Sequence, residues 1–312
     1  MHKIGIVGYT GMVGQEIQKV LKNHDQVEIV YKKNSTGEEG NLKDCEIVFL
    51  ATKDLESMNF SKVALEAGVK VIDMSGAYRL EQGDFEKWYG LDHIAPELLE
   101  TAVYGMPALY REEIKKASLV ANPGCYATSV ILALYPLQKL LKNDGNVVVV
   151  STSGNSGARR ECDEISDDFT YSYGRKHKHV PEMERYSGFS VEFTPIVLRS
   201  VFKGINTNIR ACLNDELAEM PEAKAQEVIE EAIRNCYVPE DRVFVVRDGK
   251  DVSYGTKAVN DTHDVLLKVR VDGGKVYINS LIDNLMKGAA SQGVENMNLL
   301  LGLDRLYGIV KE

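Results

Sequence analysis

The first third of the chain alternates short apolar runs with segments of helical spacing. Over Met12–Lys22, apolar residues recur at the spacing of one buried helix face: Val13, Ile17, Val20 and Leu21. A second helix is predicted over Ser57–Ala67, and strands are predicted over Lys3–Val7, Val27–Tyr31, Glu46–Ala51, Val69–Met74 and Leu119–Ala121. Strands that alternate with helices predict an α/β domain whose parallel sheet is covered by helices on both faces.

After about Asn146 the pattern changes to longer strands in which apolar and polar residues partly alternate. These strands are predicted over Val147–Thr152, Ser190–Val197, Gly204–Leu213 and Val265–Val271, with a charged surface helix over Pro221–Cys236. They predict an α+β second domain with a larger sheet that can include antiparallel strands. A terminal helix is predicted over Asp283–Leu301, with these residues near one face: Leu285, Ala289, Gln292, Asn296 and Leu299.

Length and composition limit the classes of protein that the chain can be. The length of 312 residues suits two domains, and 44% hydrophobic with 27% charged residues argues against long disorder. A net charge of −9 argues against a nucleic-acid-binding face, and no apolar run approaches the ~20 residues that span a bilayer. Five scattered cysteines without a CxxC pair favour reduced thiols in a cytoplasmic protein over disulfides or a zinc ribbon.

Three equally spaced glycines follow the first strand and open the first helix. This is the context of a dinucleotide-binding turn, because glycine lets the backbone approach a pyrophosphate and the helix start offers N–H groups. The alternative is a tight strand–helix turn without a ligand. The residues expected to contact the nucleotide are Gly8, Thr10, Gly11, Met12, Val13 and Gly14.

The end of the second strand bears on the choice of nucleotide. An NAD site usually has Asp or Glu there to bind the ribose 2′-hydroxyl, whereas this strand exits through Tyr31-Lys-Lys-Asn-Ser35. Lysines and a hydroxyl suit a 2′-phosphate, so NADP(H) is favoured, with Lys32 and Ser35 as contacts. The alternative is that Lys32 and Lys33 are solvated loop residues.

Cys125 is the candidate nucleophile. It follows Asn122-Pro-Gly124 at the predicted start of an apolar helix, where the helix dipole and unpaired N–H groups favour the nucleophilic thiolate over the thiol. The same N–H groups can stabilise an oxyanion at an attacked carbonyl. The alternative is a buried structural cysteine, the role expected for the remaining four: Cys45, Cys162, Cys212 and Cys236.

A histidine-rich segment, Gly174–Glu182, provides the candidate acid–base group. Its HxHxxE pattern could bind a metal, but Lys176 and Lys178 surround the histidines and would repel a cation, so no metal is expected. A histidine here can take the thiol proton and later donate a proton to a developing alkoxide, and Glu182 can orient it or raise its pKa. The alternative is a basic surface loop.

These motifs together resemble one enzyme family. Asn122-Pro-Gly-Cys-Tyr-Ala-Thr128 and His177-Lys-His-Val-Pro-Glu182 are similar to segments of the N-acetyl-γ-glutamyl-phosphate reductases of arginine biosynthesis, relatives of aspartate-semialdehyde dehydrogenase. Further matching segments are Val71–Leu80, Ala102–Pro107, Thr256–Val259, Ile282–Ala290 and Gln292–Asn298. The resemblance spans nearly the whole chain.

The resemblance implies a fold and a reaction. It implies a Rossmann-type NADP-binding domain, residues 1–124 with 283–312, and an α+β catalytic and dimerisation domain with a large mixed sheet, residues 125–282. It also implies a cytoplasmic homo-oligomer, a dimer or tetramer, that reduces a small acyl phosphate with NADPH through a thioester.

The resemblance also assigns residues. The family's nucleophile falls on Cys125 and its acid–base histidine on His179. Asn284 is expected beside the nicotinamide, and Ser153 and Gly154 resemble a loop over the cofactor. The expected substrate contacts are Arg79, Asn122, Arg160 and His177; each arginine could instead form a surface salt bridge.

The chain departs from the family in three places. The first turn reads Gly-Tyr-Thr-Gly rather than Gly-Ala-Thr-Gly, the segment between Tyr31 and Cys45 is short, and Arg159 and Glu161 replace a more typical Gly and Lys. Two alternative functions remain. An N-acetyl-aminoadipyl-phosphate reductase of lysine biosynthesis would share the catalytic residues, and a dinucleotide-binding redox sensor would lack turnover.

Overall fold

The structure, a computed structural model, describes residues 1–144, 147–157, 167–247 and 254–310. Its strands are β1 (His2–Val7), β2 (Val27–Lys33), β3 (Glu38–Glu39), β4 (Ile47–Leu50), β5 (Lys70–Asp73), β6 (Ala102–Tyr104), β7 (Leu119–Ala121), β8 (Val147–Gly154), β9 (Phe169–Thr170), β10 (Val191–Leu198), β11 (Ile205–Cys212), β12 (Val243–Val245), β13 (Val265–Asp272) and β14 (Lys275–Ile282). Its α-helices are α1 (Met12–Leu21), α2 (Asp54–Glu66), α3 (Gln82–Tyr89), α4 (Pro107–Lys116), α5 (Cys125–Leu134), α6 (Val180–Ser187), α7 (Asp215–Ala218), α8 (Glu222–Cys236) and α9 (Ser291–Leu301).

The first unit consists of Met1–Gly124 with Ala289–Glu312. Its seven-stranded sheet has the order β3-β2-β1-β4-β5-β7-β6, and every pairing is parallel except that of β3 with β2. All four residues of β4 are buried, as expected for a parallel sheet covered on both faces. The predicted α/β domain with a parallel sheet is confirmed.

The second unit, Cys125–Gly288, contains a mixed sheet of seven strands in the order β12-β13-β14-β11-β8-β10-β9. Burial alternates along β8, β10 and β11, because the helices α5, α6 and α8 pack on one face and leave the other partly exposed. The large mixed sheet is therefore confirmed; β8 and β10 are parallel, whereas β11 is antiparallel to both of its neighbours.

The second boundary between the units differs from the prediction. The chain leaves the second unit after Gly288, not after residue 282, because the intervening residues hydrogen-bond within that unit. Asn284 accepts from the Gly204 N–H at 2.7 Å and donates to Ser156 Oγ at 3.0 Å. A boundary at 282/283 would separate Asn284 from both partners.

The terminal helix also begins later than predicted. The segment before it is one π-helical turn, Met286–Ala290, in which the Gly288 N–H donates to the Asp283 carbonyl at 3.0 Å. Asp283 Oδ1 accepts the backbone N–H groups of Leu285 and Met286, so the chain turns here before α9 starts. α9 packs against α1 and α4 in the first unit; its residues up to Leu300 are buried, rather than one face only.

Among the described residues, no helix has the length and apolar character needed to cross a membrane.

Candidate active site

The glycine turn of the first unit is closely packed against the protein's own backbone at two of its three glycines. Gly8 has φ +81°, and an added Cβ there would lie 2.3 Å from the Ala51 carbonyl oxygen. An added Cβ on Gly14 would lie 2.3 Å from the Gly8 carbonyl oxygen. Only glycine fits either position, whereas Gly11 has more space around it, with its nearest contact at 3.3 Å.

The surface beside these glycines is open. Thr10, Gly11 and Met12 are exposed, and Val13 is half-buried at the start of α1. The first N–H groups of a helix have no intrahelical partner, so this surface presents donors and the positive end of the helix dipole to an anion. The turn therefore fits the pyrophosphate of a dinucleotide.

The two lysines at the end of β2 have different surroundings. Lys32 Nζ lies 5.9 Å from the ring centroid of Tyr9, inside the glycine turn. Lys33 Nζ instead lies 2.8 Å from Glu38 Oε2, because β3 returns antiparallel beside β2. The pairing with Lys33 is the largest cause that lowers the pKa of Glu38. Lys32 is thus the lysine oriented toward the dinucleotide turn.

The hairpin between β2 and β3 is tight. The Asn34 side chain accepts the N–H groups of Thr36 and Gly37 at 2.9 and 3.0 Å, an arrangement that closes a turn locally. The predicted contact Ser35 is exposed at the tip of this turn.

Cys125 is the first residue of α5 and is half-buried. The rest of the helix, through Leu134, is buried. Under it, Ser129 Oγ lies 3.0 Å from Thr207 Oγ1 and 2.9 Å from Ser280 Oγ. These hydroxyls are fully buried and tie the helix to β11 and β14, which fixes the register of the helix that begins at Cys125.

His177 lies inside a cage of aromatic rings. Its ring centroid is 5.5 Å from those of Tyr126 and Tyr171, 5.4 Å from that of Phe193 and 4.7 Å from that of His179, all in edge-on geometry. Tyr126 directly follows Cys125, and its ring also lies 6.0 Å from His179. The cage therefore connects the start of α5 with the histidine segment.

Both nitrogens of His177 are engaged inside the protein. Nδ1 accepts the backbone N–H of His179 at 3.1 Å, and Nε2 lies 3.3 Å from the Tyr171 hydroxyl. A neutral imidazole that accepts at Nδ1 carries its proton on Nε2, so Nε2 donates to Tyr171. Burial, with a smaller effect of the Lys178 charge, lowers the pKa of His177 to about 4. This histidine is neutral near pH 7.

His179 stands at the start of α6 and is half-buried. The Met183 N–H donates to its carbonyl at 2.9 Å, and the Val180 N–H donates to the His177 carbonyl. Glu182 lies in the first turn of α6 with its side chain fully buried. The structure thus places the candidate acid–base residue at a helix start, three residues before a buried carboxylate.

The predicted nicotinamide-side residues of the second unit lie together. An added Cβ on Gly157 would be 3.6 Å from both Ser153 Oγ and Asn284 Nδ2. Gly154 is also closely packed, since an added Cβ would lie 2.5 Å from the Lys203 nitrogen. Ser153, Gly154 and Asn284 therefore form one cluster at the end of β8.

Arg79 and Asn122 have structural partners in the first unit. Arg79 donates to the Asn122 and Met74 carbonyls at 2.8 and 3.1 Å. The Asn122 side chain donates to the Ala289 carbonyl at 3.3 Å and accepts from Asn296 at 3.0 Å. Arg79 thus holds the segment that precedes Cys125 in the chain.

Arg160, the remaining predicted substrate contact, lies outside the described residues, as do Arg159, Glu161 and Cys162. Within the described ranges, no group of three or more His, Cys, Asp or Glu residues could hold a metal ion.

Sequence reasoning missed several residues around these clusters. Tyr171 and Phe193 complete the cage around His177, and Asn296 orients Asn122. Tyr126 had a sequence signal in its position next to Cys125, and Asn296 lies in the matching segment Gln292–Asn298. Tyr171 stands six residues before His177 but belongs to no recognised motif, and Phe193 is distant in sequence from the ring it contacts.

Comparison with known proteins defines the class. Residues 125–284 match the family described as semialdehyde dehydrogenase, dimerisation domain, and residues 32–117 match semialdehyde dehydrogenase, NAD binding domain.

The fold agrees with two solved structures. Aspartate semialdehyde dehydrogenase II of Vibrio cholerae, complexed with ASA, has TM-score 0.73 at 18% identity, covering 97% of this chain and 98% of that one. The Candida albicans enzyme with NADP has TM-score 0.71 at 17% identity, covering 96% and 98%. The chain is a semialdehyde dehydrogenase-type oxidoreductase.

Full-length relatives narrow this class. N-acetyl-γ-glutamyl-phosphate reductase of Clostridium novyi is 37% identical, covering 99% of this chain and 98% of the relative. The reductase of Thermus thermophilus is 35% identical, covering 99% of both. The chain belongs to the N-acetyl-γ-glutamyl-phosphate reductase family. The first alignment spans 353 positions, 41 more than the 312 residues of this chain, so the alignment contains gaps on this chain's side.

Proposed function

We propose that this chain reduces N-acetyl-γ-glutamyl phosphate to N-acetylglutamate semialdehyde, a step of arginine biosynthesis. The cofactor is NADP(H). The observation that carries the proposal lies in the second unit: Cys125 begins α5, and the ring of Tyr126, the next residue, lies 6.0 Å from that of His179 at the start of α6. The full-length similarity to reductases of this name supports it.

Cys125 is the nucleophile in this proposal. Its thiolate attacks the acyl carbon of the substrate, the C–O bond to phosphate breaks, and inorganic phosphate leaves. The α5 N–H groups stabilise the negative oxygen that forms during this attack. The product of the step is a thioester on Cys125.

The second half of the reaction releases the aldehyde. When bound, NADPH supplies the hydride that reduces the thioester carbonyl, which leaves an alkoxide on a tetrahedral carbon attached to Cys125. His179 donates a proton to this oxygen and takes it back as the C–S bond breaks, which regenerates the Cys125 thiolate. Glu182, which is buried in the first turn of α6, is the proposed orienting group for His179.

Cofactor and substrate residues complete the proposal. The glycine turn holds the pyrophosphate, Lys32 is the 2′-phosphate contact, and the cluster Ser153, Gly154 and Asn284 lies toward the nicotinamide. Arg79 and Asn122 do not contact the substrate in this proposal. Their side chains hold in place the segment before Cys125. His177 is a positioning residue for His179 rather than a substrate contact, since both of its nitrogens are used internally.

Oligomeric state and compartment are part of the proposal. We propose a homo-oligomer, a dimer or tetramer, formed through the second unit, which matches a dimerisation domain. The sheet face opposite α5, α6 and α8 mixes polar and apolar side chains, among them Asn206, Arg210, Arg270, Val148, Val150 and Tyr277. A thiolate nucleophile needs a reducing compartment, so the proposed location is the cytoplasm.

The direct test is the reverse reaction. The purified protein is mixed with N-acetylglutamate semialdehyde, phosphate and NADP⁺, and NADPH formation is followed by absorbance. Turnover that requires phosphate supports the proposal. Turnover that is faster with N-acetyl-aminoadipate semialdehyde would assign the lysine-pathway reaction instead, and no turnover with either would leave a binding protein.

A further inference from the structure

The π-helical turn Met286–Ala290 lies against Cys125. An added Cβ on Gly288 would be 2.8 Å from the Cys125 Cβ and 3.3 Å from its Cα. Carbon atoms that are not bonded do not approach this closely, since the optimum separation is roughly 3.5–4.0 Å. Any side chain at position 288 would therefore displace the Cys125 side chain, and with it the sulfur.

The first half of this turn is fixed by a buried carboxylate. Asp283 is fully buried, and its Oδ2 accepts the Asp261 N–H at 2.7 Å and lies 3.1 Å from Lys203 Nζ. Its Oδ1 accepts the N–H of Leu285 at 2.8 Å. Single π-helical turns are rare and occur frequently at functional sites; this one runs directly into α9 at Ser291, and side-chain contacts hold the residues before it.

The second half is fixed by a buried lysine. Lys287 has no exposed surface, and its Nζ donates to His263 Nε2 at 2.9 Å and to the Asp241 carbonyl at 3.2 Å. His263 is also buried. A buried amino group is unfavourable unless it is hydrogen-bonded, so these contacts hold Lys287, and the turn that carries it, in one position.

We propose that Lys287 and Gly288 are positioning residues for the nucleophile. Lys287 fixes the position of the π-helical turn, and Gly288 in this turn packs directly against Cys125. This packing keeps the thiol at the start of α5. There the helix N–H groups favour the thiolate. The inference rests on the proposed role of Cys125 as nucleophile.

Two variants test it: Gly288→Ala, which adds the clashing carbon, and Lys287→Met, which removes the anchor but keeps an unbranched chain. The matched control is Gly255→Ala, where φ is −111° and an added Cβ meets nothing within 4 Å. For each full-length protein, the pH dependence of Cys125 alkylation by iodoacetamide is followed by peptide mass spectrometry. kcat and KM are measured alongside.

Both variants should lower kcat about 10- to 100-fold, the loss expected when a reacting group is misplaced by about 1 Å. The NADPH KM should stay within about twofold, and the midpoint pH of Cys125 alkylation should rise. Gly255→Ala should match the wild type in all three. Folded variants with wild-type alkylation profiles and kcat would overturn the inference.

The two hypotheses fail in distinguishable ways. If Cys125 were not the nucleophile, Cys125→Ser would retain turnover, whereas the alkylation profile of Gly288→Ala would still report whether the turn positions the thiol. If either variant fails to fold by circular dichroism, the other still decides the outcome, because the two changes act at different atoms.

Discussion

The burial of His177 predicts how the free energy of unfolding depends on pH. Its pKa of about 4 lies below the ordinary value of 6.5, so the unfolded chain takes up a proton first as the pH falls. The stabilisation is fully present above about pH 6.5 and is lost as the pH falls toward 4. A difference of about 2.5 pH units corresponds to about 3 kcal/mol, of which about 2 kcal/mol is lost between pH 7 and pH 5.

His177→Asn isolates this contribution. The Asn side chain keeps an acceptor for the His179 N–H but does not titrate. Urea unfolding is measured for both proteins at pH 7 and pH 5 by circular dichroism, because the only tryptophan, Trp88, lies in the first unit. His93, another buried histidine with a lowered pKa, contributes equally to both proteins.

The free energy of unfolding of the wild type should fall by about 2 kcal/mol more than that of the variant between the two pH values. An equal fall in both proteins would refute the reasoning, since His177 would then be protonated in the folded protein as readily as in the unfolded chain.

Three further outcomes follow from the site. His179→Asn should lower kcat about 100-fold or more, far more than His177→Asn; equal losses in a steady-state assay would remove the acid–base assignment. Lys32→Ala should reduce the preference for NADPH over NADH in kcat/KM by about tenfold, whereas Lys33→Ala should change it little, because Lys33 pairs with Glu38; the reverse order would place the 2′-phosphate elsewhere. Light scattering should give a dimer or tetramer, and a monomer would contradict the proposed assembly.

The strands of the first unit could be predicted because they are buried on both faces. A run such as Ile47–Leu50 is apolar at each position, and a signal of this kind needs no knowledge of the partner strands. The terminal helix was harder. Its predicted start at Asp283 follows from spacing, whereas the π-helical turn depends on side-chain contacts of Asp283 and Lys287 with residues more than twenty positions away.

One missed strand had a local signal. β14 follows β13 after Gly273-Gly274, both with positive φ, and two such residues are typical of a two-residue β-hairpin. The tight turn from Asn34 to Gly37 also had a local signal, since Asn and Gly are typical turn residues. No acidic residue ends β2 in the sequence, and this absence was taken to favour NADP. In the structure, the turn after β2 brings the carboxylate of Glu38 beside Lys33, so this lysine is already paired.

The reacting residues of the candidate site were easier to predict than the residues that hold them in position. Cys125 stands in a short motif, so its role could be proposed from the residues alone, whereas the choice of His179 within the histidine segment came from the family resemblance. The cage around His177 joins Tyr126 of α5, Phe193 of β10 and Tyr171, which follows β9. Such contacts depend on tertiary packing, which local spacing does not determine.

The central claim, a thioester on Cys125, can be tested without the acyl phosphate. The protein is mixed with N-acetylglutamate semialdehyde and NADP⁺, with phosphate left out, so that the thioester has no phosphate acceptor. We expect a burst of NADPH no larger than the enzyme concentration, together with an N-acetylglutamyl adduct on the Cys125 peptide by mass spectrometry. The adduct should disappear when phosphate is added and should be absent in Cys125→Ser. A burst without an adduct on Cys125, or an adduct that persists in Cys125→Ser, would contradict the account.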